Sequence, residues 1–343
     1  MTIDKKYLNS IKSKIKIADI VPFFDKFKNL KVLVIGDTII DEYIFVHPKG
    51  RAVKDPILST EYRSSESYAG GIIAVANHLS TFVREINLVT LIGDQNSKIE
   101  FIKNSIKGNT KLKTFIKKDS PTIVKERLID IFRNNKLFKV EYMNDRPIDA
   151  ALTAEITAYL EKELPHYDLV VVGDFGHGFI NEQIRRTLEK NSKFLAINVQ
   201  SNSSNMGFNY FNLYHKFDFI SLDEQELRLP LSMRFEDANY VMKEMNRVFG
   251  FDKFMVTRGK NGCVLFNKGN FSRAPILIES VKDTVGAGDA LFAITSLFAY
   301  CNANDHILPF VANCAGGIAA NIMGNKESVT RDSLEKFMIE VLK

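Results

Sequence analysis

The stretch DTVGAGDALFA (Asp283–Ala293) sets two glycines around an alanine, follows them at once with an aspartate, and then turns apolar. From Ala290 to Tyr300 (ALFAITSLFAY) the chain is apolar nearly all round, which predicts a buried helix. The N-terminus of such a helix presents unpaired backbone N–H groups and the positive end of the helix dipole. Gly286, Ala287 and Gly288 leave that backbone bare, so an anion can approach it. Asp289 then falls in the first turn, beside the same anion. A carboxylate there would repel a phosphate, but it can take the proton of a hydroxyl that attacks phosphorus. Phosphoryl transfer needs little more than an aligned nucleophile, a base and charge neutralisation. G-A-G-D alone also reads as a tight strand-to-helix turn with Asp289 as a helix-start residue. No G-K-[ST] follows, and the third glycine of a dinucleotide fingerprint is missing.

Outward from this stretch the chain alternates strand-like and helix-like segments. The strand candidates are 31–36, 86–93, 168–174, 193–198, 218–222 and 253–257, short and rich in Val, Ile and Leu, as strands buried on both faces are. Helical patterns cover 72–82, 95–106, 149–163, 180–190, 235–247, 288–300, 306–323 and 330–342, with Asp149 and Asn181 as N-caps. Such alternation predicts an α/β fold with a doubly wound, mostly parallel sheet flanked by helices. Residues 43–68 and 112–142 break the rhythm. They read as four antiparallel strands of a small separate sheet, placed as a lid over the crevice at the carboxyl ends of the main strands. Residues 1–29 read as a helical extension leading into the first strand, and 30–343 as one domain.

Composition narrows the function classes. The chain has 343 residues, 45% hydrophobic and 25% charged, with a net charge of +5. No apolar run reaches the roughly 20 residues of a membrane span, and the N-terminus lacks a signal-peptide core. A cytoplasmic protein with no membrane partner is expected. Lysine-rich SIKGNTKLKTFIKK (105–118) lacks the dense basic, aromatic-interleaved stripe of a nucleic-acid reader and fits a solvated face. Cys263, Cys301 and Cys314 have neither disulfide nor zinc spacing.

The full string D-T-V-G-A-G-D-A resembles the C-terminal signature of the ribokinase-like (PfkB) sugar and nucleoside kinases. The resemblance covers roughly 30–340. It implies a kinase that uses ATP and Mg²⁺, with Asp289 as catalytic base and the backbone of Gly286, Ala287 and Gly288 stabilising the transferring phosphoryl group. VTRGKNGCVLF (256–266) resembles the family's nucleotide-binding strand–turn–strand, placing Thr257, Gly259 and Gly262 near the ATP phosphates; it is also a plain glycine hairpin. ANCAGGIAANIMG (312–324) resembles the last helix, with Asn313, Cys314 and Gly317 at the adenine pocket; small residues there also serve close packing. VIGDTIIDEY (34–43) implies Asp41 on sugar hydroxyls, with Asp37 ranked lower. AGGIIAVANHL (69–79) resembles the di-glycine loop, with Gly70 and Gly71 against substrate. DEQE (223–226) resembles N-x-x-E, with Glu226 and Asp223 reaching Mg²⁺ through water; alone it would be a solvated helix start.

Within the family the chain looks closest to the heptose-7-phosphate kinases of lipopolysaccharide-precursor synthesis. GDTIIDEYIF with Arg51 after it, SPTIVKERLI with LFKVEY, and DFGHGFI (174–180) carry that likeness. It implies that Lys125 and Arg127 hold the sugar 7-phosphate and that Asp174 meets the substrate; the same two cations also serve as edge-strand charges. Three departures bear on the acceptor. Ala74 replaces an asparagine, Asp223 stands where asparagine is usual, and INVQSNSSNMGF (197–208) replaces an expected Asp-Pro-Lys turn, leaving Asn198 and Gln200 there. No H-x-G-H motif of a fused nucleotidyltransferase occurs, so the kinase step alone is expected. Homodimerisation through the lid follows from the family. Two further readings stay open: a kinase of an unphosphorylated sugar or nucleoside, and a catalytically silent sugar-binding protein of the same fold.

Overall fold

The computed structural model describes residues 5–343. Residues 1–4 of the expected N-terminal extension lie outside the described residues. The chain runs α1 (Lys5–Lys14), α2 (Ile17–Phe27), β1 (Lys31–Arg51), β2 (Leu58–Gly70), α3 (Gly71–Leu79), β3 (Glu85–Gln95), α4 (Ile99–Ser105), β4 (Thr110–Pro121), β5 (Ile123–Asp130) and β6 (Lys136–Tyr142). It continues with α5 (Ala150–Glu163), β7 (Leu169–Asp174), α6 (Glu182–Asn191), β8 (Leu195–Val199), β9 (Phe219–Asp223), α7 (Glu224–Arg228) and α8 (Ala238–Phe249). The last third holds β10 (Lys253–Thr257), β11 (Cys263–Asn267), β12 (Asn270–Ala274), α9 (Ala287–Tyr300), α10 (Ile307–Ala319) and α11 (Arg331–Leu342). Asp149 and Asn181 cap α5 and α6 by accepting from Leu152 N–H and Ile184 N–H.

The main sheet has the order β12-β11-β10-β9-β8-β7-β1-β3-β4. From β10 to β4 neighbouring strands are parallel; β11 and β12 extend one edge antiparallel. Successive residues of β1 serve opposite faces. Val32 and Val34 join the core under α3, α9 and α10, while Leu33 and Ile35 join the core under α5, α6 and α8. This explains the unbroken apolar runs: a strand covered on both faces has no polar side to alternate. The winding reverses between β1 and β7, so the crevice opens at the carboxyl ends of the central strands.

β1 does not stop at the end of the main sheet. It continues into a second sheet, where it pairs antiparallel with β2 and parallel with β5, and β5 pairs antiparallel with β6. Two expectations need correction. Residues 110–121 belong to the main sheet as its edge strand β4, paired with β3. Their alternation arises because an edge strand is half-exposed, not because they belong to the lid. The lid is also not wholly antiparallel: Ile39 pairs in parallel register with Ile123, and Val46 with Asp130. Period-2 patterning cannot tell these pairings apart.

α1 and α2 pack into the same core as α9. Ile11, Ile15, Ile20, Phe24 and Phe27 are buried there, and the Phe27 ring meets Phe298 edge-on at 4.9 Å. Among the described residues no helix is long and apolar enough to cross a membrane.

Candidate active site

α9 is preceded by its N-cap Gly286, whose φ of 81° and whose contact with the Asn325 side chain leave no room for a Cβ. Gly288, one residue into the helix, has open space beside it, so its backbone can be approached. Asp289 sits in this first turn and lines a polar cavity of about 310 Å³. It is half-buried, at the head of the fully buried helical run that starts at Ala290. Burial therefore dominates and pushes its carboxyl up to about 6; the hydrogen bond from Gln200 pulls it down, the charge of Asp41 up, and Lys125 down.

The cavity lies at the carboxyl ends of β8, β9 and β10, with the lid along its other side. Asn198, Asp223 and Thr257 come from the ends of main-sheet strands, Gln200 from the loop after β8 and Glu226 from α7; Asp41, Lys125 and Arg127 come from the lid. The lid register accounts for the last three. Asp41 pairs with Lys125, and Tyr43 with Arg127, so period-2 alternation puts all four on one face. Arg127 forms an ion pair with Asp41. Lys125 lies 3.7 Å from Glu141, which also takes Lys139 at 2.9 Å. Burial lowers the Lys125 pKa against the pull of these carboxylates.

Of the di-glycine pair, Gly71 lines the cavity. Gly70 instead packs against the Asp41 carboxylate, where a Cβ would collide. Asp223 and Glu226 form a capping box on α7: Asp223 accepts from Glu226 N–H at 2.7 Å, and Glu226 accepts from Asp223 N–H at 2.8 Å and Ser201 N–H at 3.0 Å. Asp223 and Glu226 thus start a helix and also line the first cavity. Burial, with the nearby Asp223 charge, pushes Glu226 up to about 8, against its backbone donors.

A second cavity, of about 440 Å³, adjoins the first. Thr257, Gly259, Gly262, Asn313 and Gly317 line it, together with Leu291 of α9 and with apolar Ile276, Ile278 and Val281, which lie in no predicted element. The two cavities share Thr257, Thr284 and Gly288, so they meet at the start of α9. Several lining residues are also structural. The Asn313 amide donates to the Ala274 carbonyl at 3.0 Å, and a Cβ at Gly262 would strike the same carbonyl.

Besides Gly70, two expected site residues lie outside both cavities. Cys314 is fully buried in the core and does not line the second cavity. On α10, residues 313, 316, 317 and 320 share one face at helical spacing, and 314 is turned roughly 100° away. Asp174 is buried outside the first cavity. The loop after β8 folds back over it, and its oxygens accept from Tyr214 Oη at 2.9 Å, Gly176 N–H at 3.1 Å and Asn209 Nδ2 at 3.2 Å. Asp37, ranked lower, is also buried outside the cavity. Lys260, on the second cavity, and Ser201, on the first, were not foreseen.

Residues 29–309 match the pfkB family of carbohydrate kinases. The chain belongs to that family. Curated relatives include bifunctional protein HldE of a Nitratiruptor species, 21% identical over 310 residues that cover 90% of this chain and 64% of that protein. Bifunctional protein HldE of Helicobacter pylori is 22% identical, covering 86% and 64%. The chain spans under two thirds of the length of these relatives. Among solved structures, a putative ribokinase from Agrobacterium tumefaciens superposes with a TM-score of 0.72 at 14% identity, covering 92% of this chain and 99% of that one. Phosphofructokinase-2 from Escherichia coli in complex with potassium gives 0.71 at 12%, covering 92% and 100%. These likenesses establish the ribokinase-like fold.

Proposed function

We propose that this pfkB-family chain is an ATP- and Mg²⁺-dependent kinase acting in the cytoplasm on a sugar or sugar-phosphate hydroxyl, with heptose 7-phosphate as the leading acceptor. One observation carries the reading: a polar cavity and an apolar-walled one meet at Gly288, with the Asp289 carboxylate on the polar side of the junction. The apolar cavity suits an adenosine moiety and the polar one a sugar. Asp289 takes the proton of the acceptor hydroxyl as its oxygen bonds to the γ-phosphorus and the bond to the ADP oxygen breaks. The N–H groups at the start of α9 stabilise the charge on the transferring group. Among the described residues no cluster of three or more His, Cys, Asp or Glu could hold a metal by itself. Asp223 and Glu226 offer hard oxygens already fixed by backbone donors, which fits holding Mg²⁺ through water while nucleotide phosphates supply further ligands. When bound, Mg²⁺ neutralises phosphate charge.

Support for a phosphorylated acceptor is that Lys125 and Arg127 both line the polar cavity; HldE relatives raise heptose phosphates above other acceptors. A second reading, an unphosphorylated sugar, is favoured by a different fact: both cations already have carboxylate partners, Glu141 and Asp41. A coupled ADP-release screen with Mg-ATP against heptose 7-phosphate, other sugar phosphates, free sugars and nucleosides decides between them. Silence across the panel with ATP binding intact would move the chain to the sugar-binding, non-catalytic reading. The lid and its β5–β6 turn also expose Leu58, Tyr62, Phe132 and Phe138, and these apolar groups support a homodimer, which sedimentation would test.

A further inference from the structure

The first aspartate of D-T-V-G-A-G-D has a place that the proposed chemistry does not use. Asp283 is buried, and both its oxygens are fully engaged. Oδ1 accepts from Val285 N–H at 3.1 Å and from Lys136 Nζ at 2.8 Å. Oδ2 accepts from Gly324 N–H at 3.1 Å and from Tyr43 Oη at 2.6 Å. Each oxygen thus holds one donor from the body of the protein and one from the lid: Tyr43 lies on β1 and Lys136 on β6.

The body-side donors shape the anion cradle. Val285 N–H closes the turn that delivers Gly286 at its positive φ, and Asn325, next to Gly324, fills the space beside Gly286. The lid-side donors belong to the acceptor wall. Tyr43 packs edge-on against Tyr68 at 5.1 Å, and Met323, next to Gly324, packs on that same cluster. The Arg127 guanidinium, which pairs with Asp41, lies 5.8 Å from the centre of the Tyr43 ring.

We propose that Asp283 is a positioning residue whose carboxylate clamps lid strands β1 and β6 to the loop Thr284–Gly286, so that lid position and the shape of the anion cradle are set together. Lys136 is the removable half of the clamp. Its side chain is 39% exposed, so replacing it leaves no large cavity. The consequence for turnover rests on the kinase reading; the clamp itself does not.

Backbone hydrogen exchange on the full chain, without substrate, tests it. In Lys136→Met, exchange should rise about tenfold or more both in lid strands β1 and β6 and at 284–288, with β7 and β8 unchanged, because a charge-assisted hydrogen bond is lost. Lys136→Arg should restore protection at both places. Tyr43→Phe, which keeps the ring, should loosen the same two regions. A rise confined to the lid, with 284–288 at wild-type rates, or no rise in either region, overturns the proposal. If exchange responds as expected while the wild type phosphorylates no sugar, the clamp stands and the kinase reading falls.

Discussion

Gln200 Nε2 donates to Asp289 Oδ1 at 2.9 Å, joining the loop after β8 to the first turn of α9. The same amide donates to Asn198 Oδ1 at 2.9 Å, and Asn198 Nδ2 is itself anchored on the Ser221 carbonyl at 2.7 Å. The carboxylate is therefore oriented by a chain of neutral amides that crosses β8 and β9. The heptose kinases that the sequence resembles would carry an Asp-Pro-Lys turn at this place, which this chain lacks. A lysine would have brought a positive charge; Gln200 brings a hydrogen bond without one, and the Asp289 carboxyl stays up near 6.

Asp289→Asn keeps the shape and the Gln200 hydrogen bond but cannot accept a proton. Turnover should fall by about 10²–10⁴-fold, the usual worth of a positioned general base, while nucleotide affinity measured by calorimetry stays within a few-fold of wild type. Near-normal turnover would remove Asp289 from the base role.

The pH profile follows from the same residue. Burial raises the Asp289 carboxyl to about 6, and the base works only when ionised. The kcat/KM should fall as pH drops through about 6 and level off above it. In Gln200→Leu the hydrogen bond that stabilises the ionised form is gone, so the acid limb should move to higher pH. An unmoved limb in that variant would mean that another group sets the profile.

Much of this site was legible because the cues were local. The central strands β7 to β10 showed as continuous apolar runs since both faces are covered, and the glycines and aspartate at 286–289 are contiguous in sequence. What escaped depends on distant pairing. Asp174 ends a strand at the ligand edge, but whether it meets ligand depends on where Asn209 and Tyr214 fold back. Cys314 sits among lining residues in sequence and is turned away by helical phase. The clamp of Tyr43 and Lys136 on Asp283 joins residues more than a hundred positions apart and has no sequence cue.

Lys125 separates the two acceptor readings. Lys125→Met removes the charge while Glu141 keeps Lys139, so no carboxylate is left stranded. For a phosphorylated acceptor, kcat/KM should drop about ten- to a hundredfold, as for a lost charged hydrogen bond. For a neutral sugar it should change less than about threefold. Kinetics on matched sugar and sugar-phosphate pairs read the difference. Arg127 is the poorer probe, because its removal leaves the buried Asp41 unpaired.

Gly317 and Gly316 make a controlled pair in the second cavity. A Cβ at Gly317 would stand 2.8 Å from Ile278 Cγ2, pushing that side chain into the cavity. Gly317→Ala should raise KM for ATP several-fold and cost about 1–3 kcal/mol of stability through overpacking. A Cβ at Gly316 would meet its nearest neighbour at 3.6 Å, an ordinary contact, so Gly316→Ala should leave KM for ATP within about twofold. Equal effects at both positions would count against nucleotide binding along this face.

Asp174 gives the opposite kind of test, a buried acid at the ligand edge that is expected to leave catalysis alone. Its carboxylate holds Tyr214 Oη, Asn209 Nδ2 and Gly176 N–H, tying the loop after β8 to β7. Asp174→Ala would leave these buried donors without an acceptor, at a cost of about 1–3 kcal/mol. Denaturant melts should show that loss, while KM for the acceptor, measured well below the new melting temperature, stays within about threefold of wild type. A tenfold rise in acceptor KM with unchanged stability would instead return Asp174 to the substrate wall, and would mean that the loop over it opens when substrate binds.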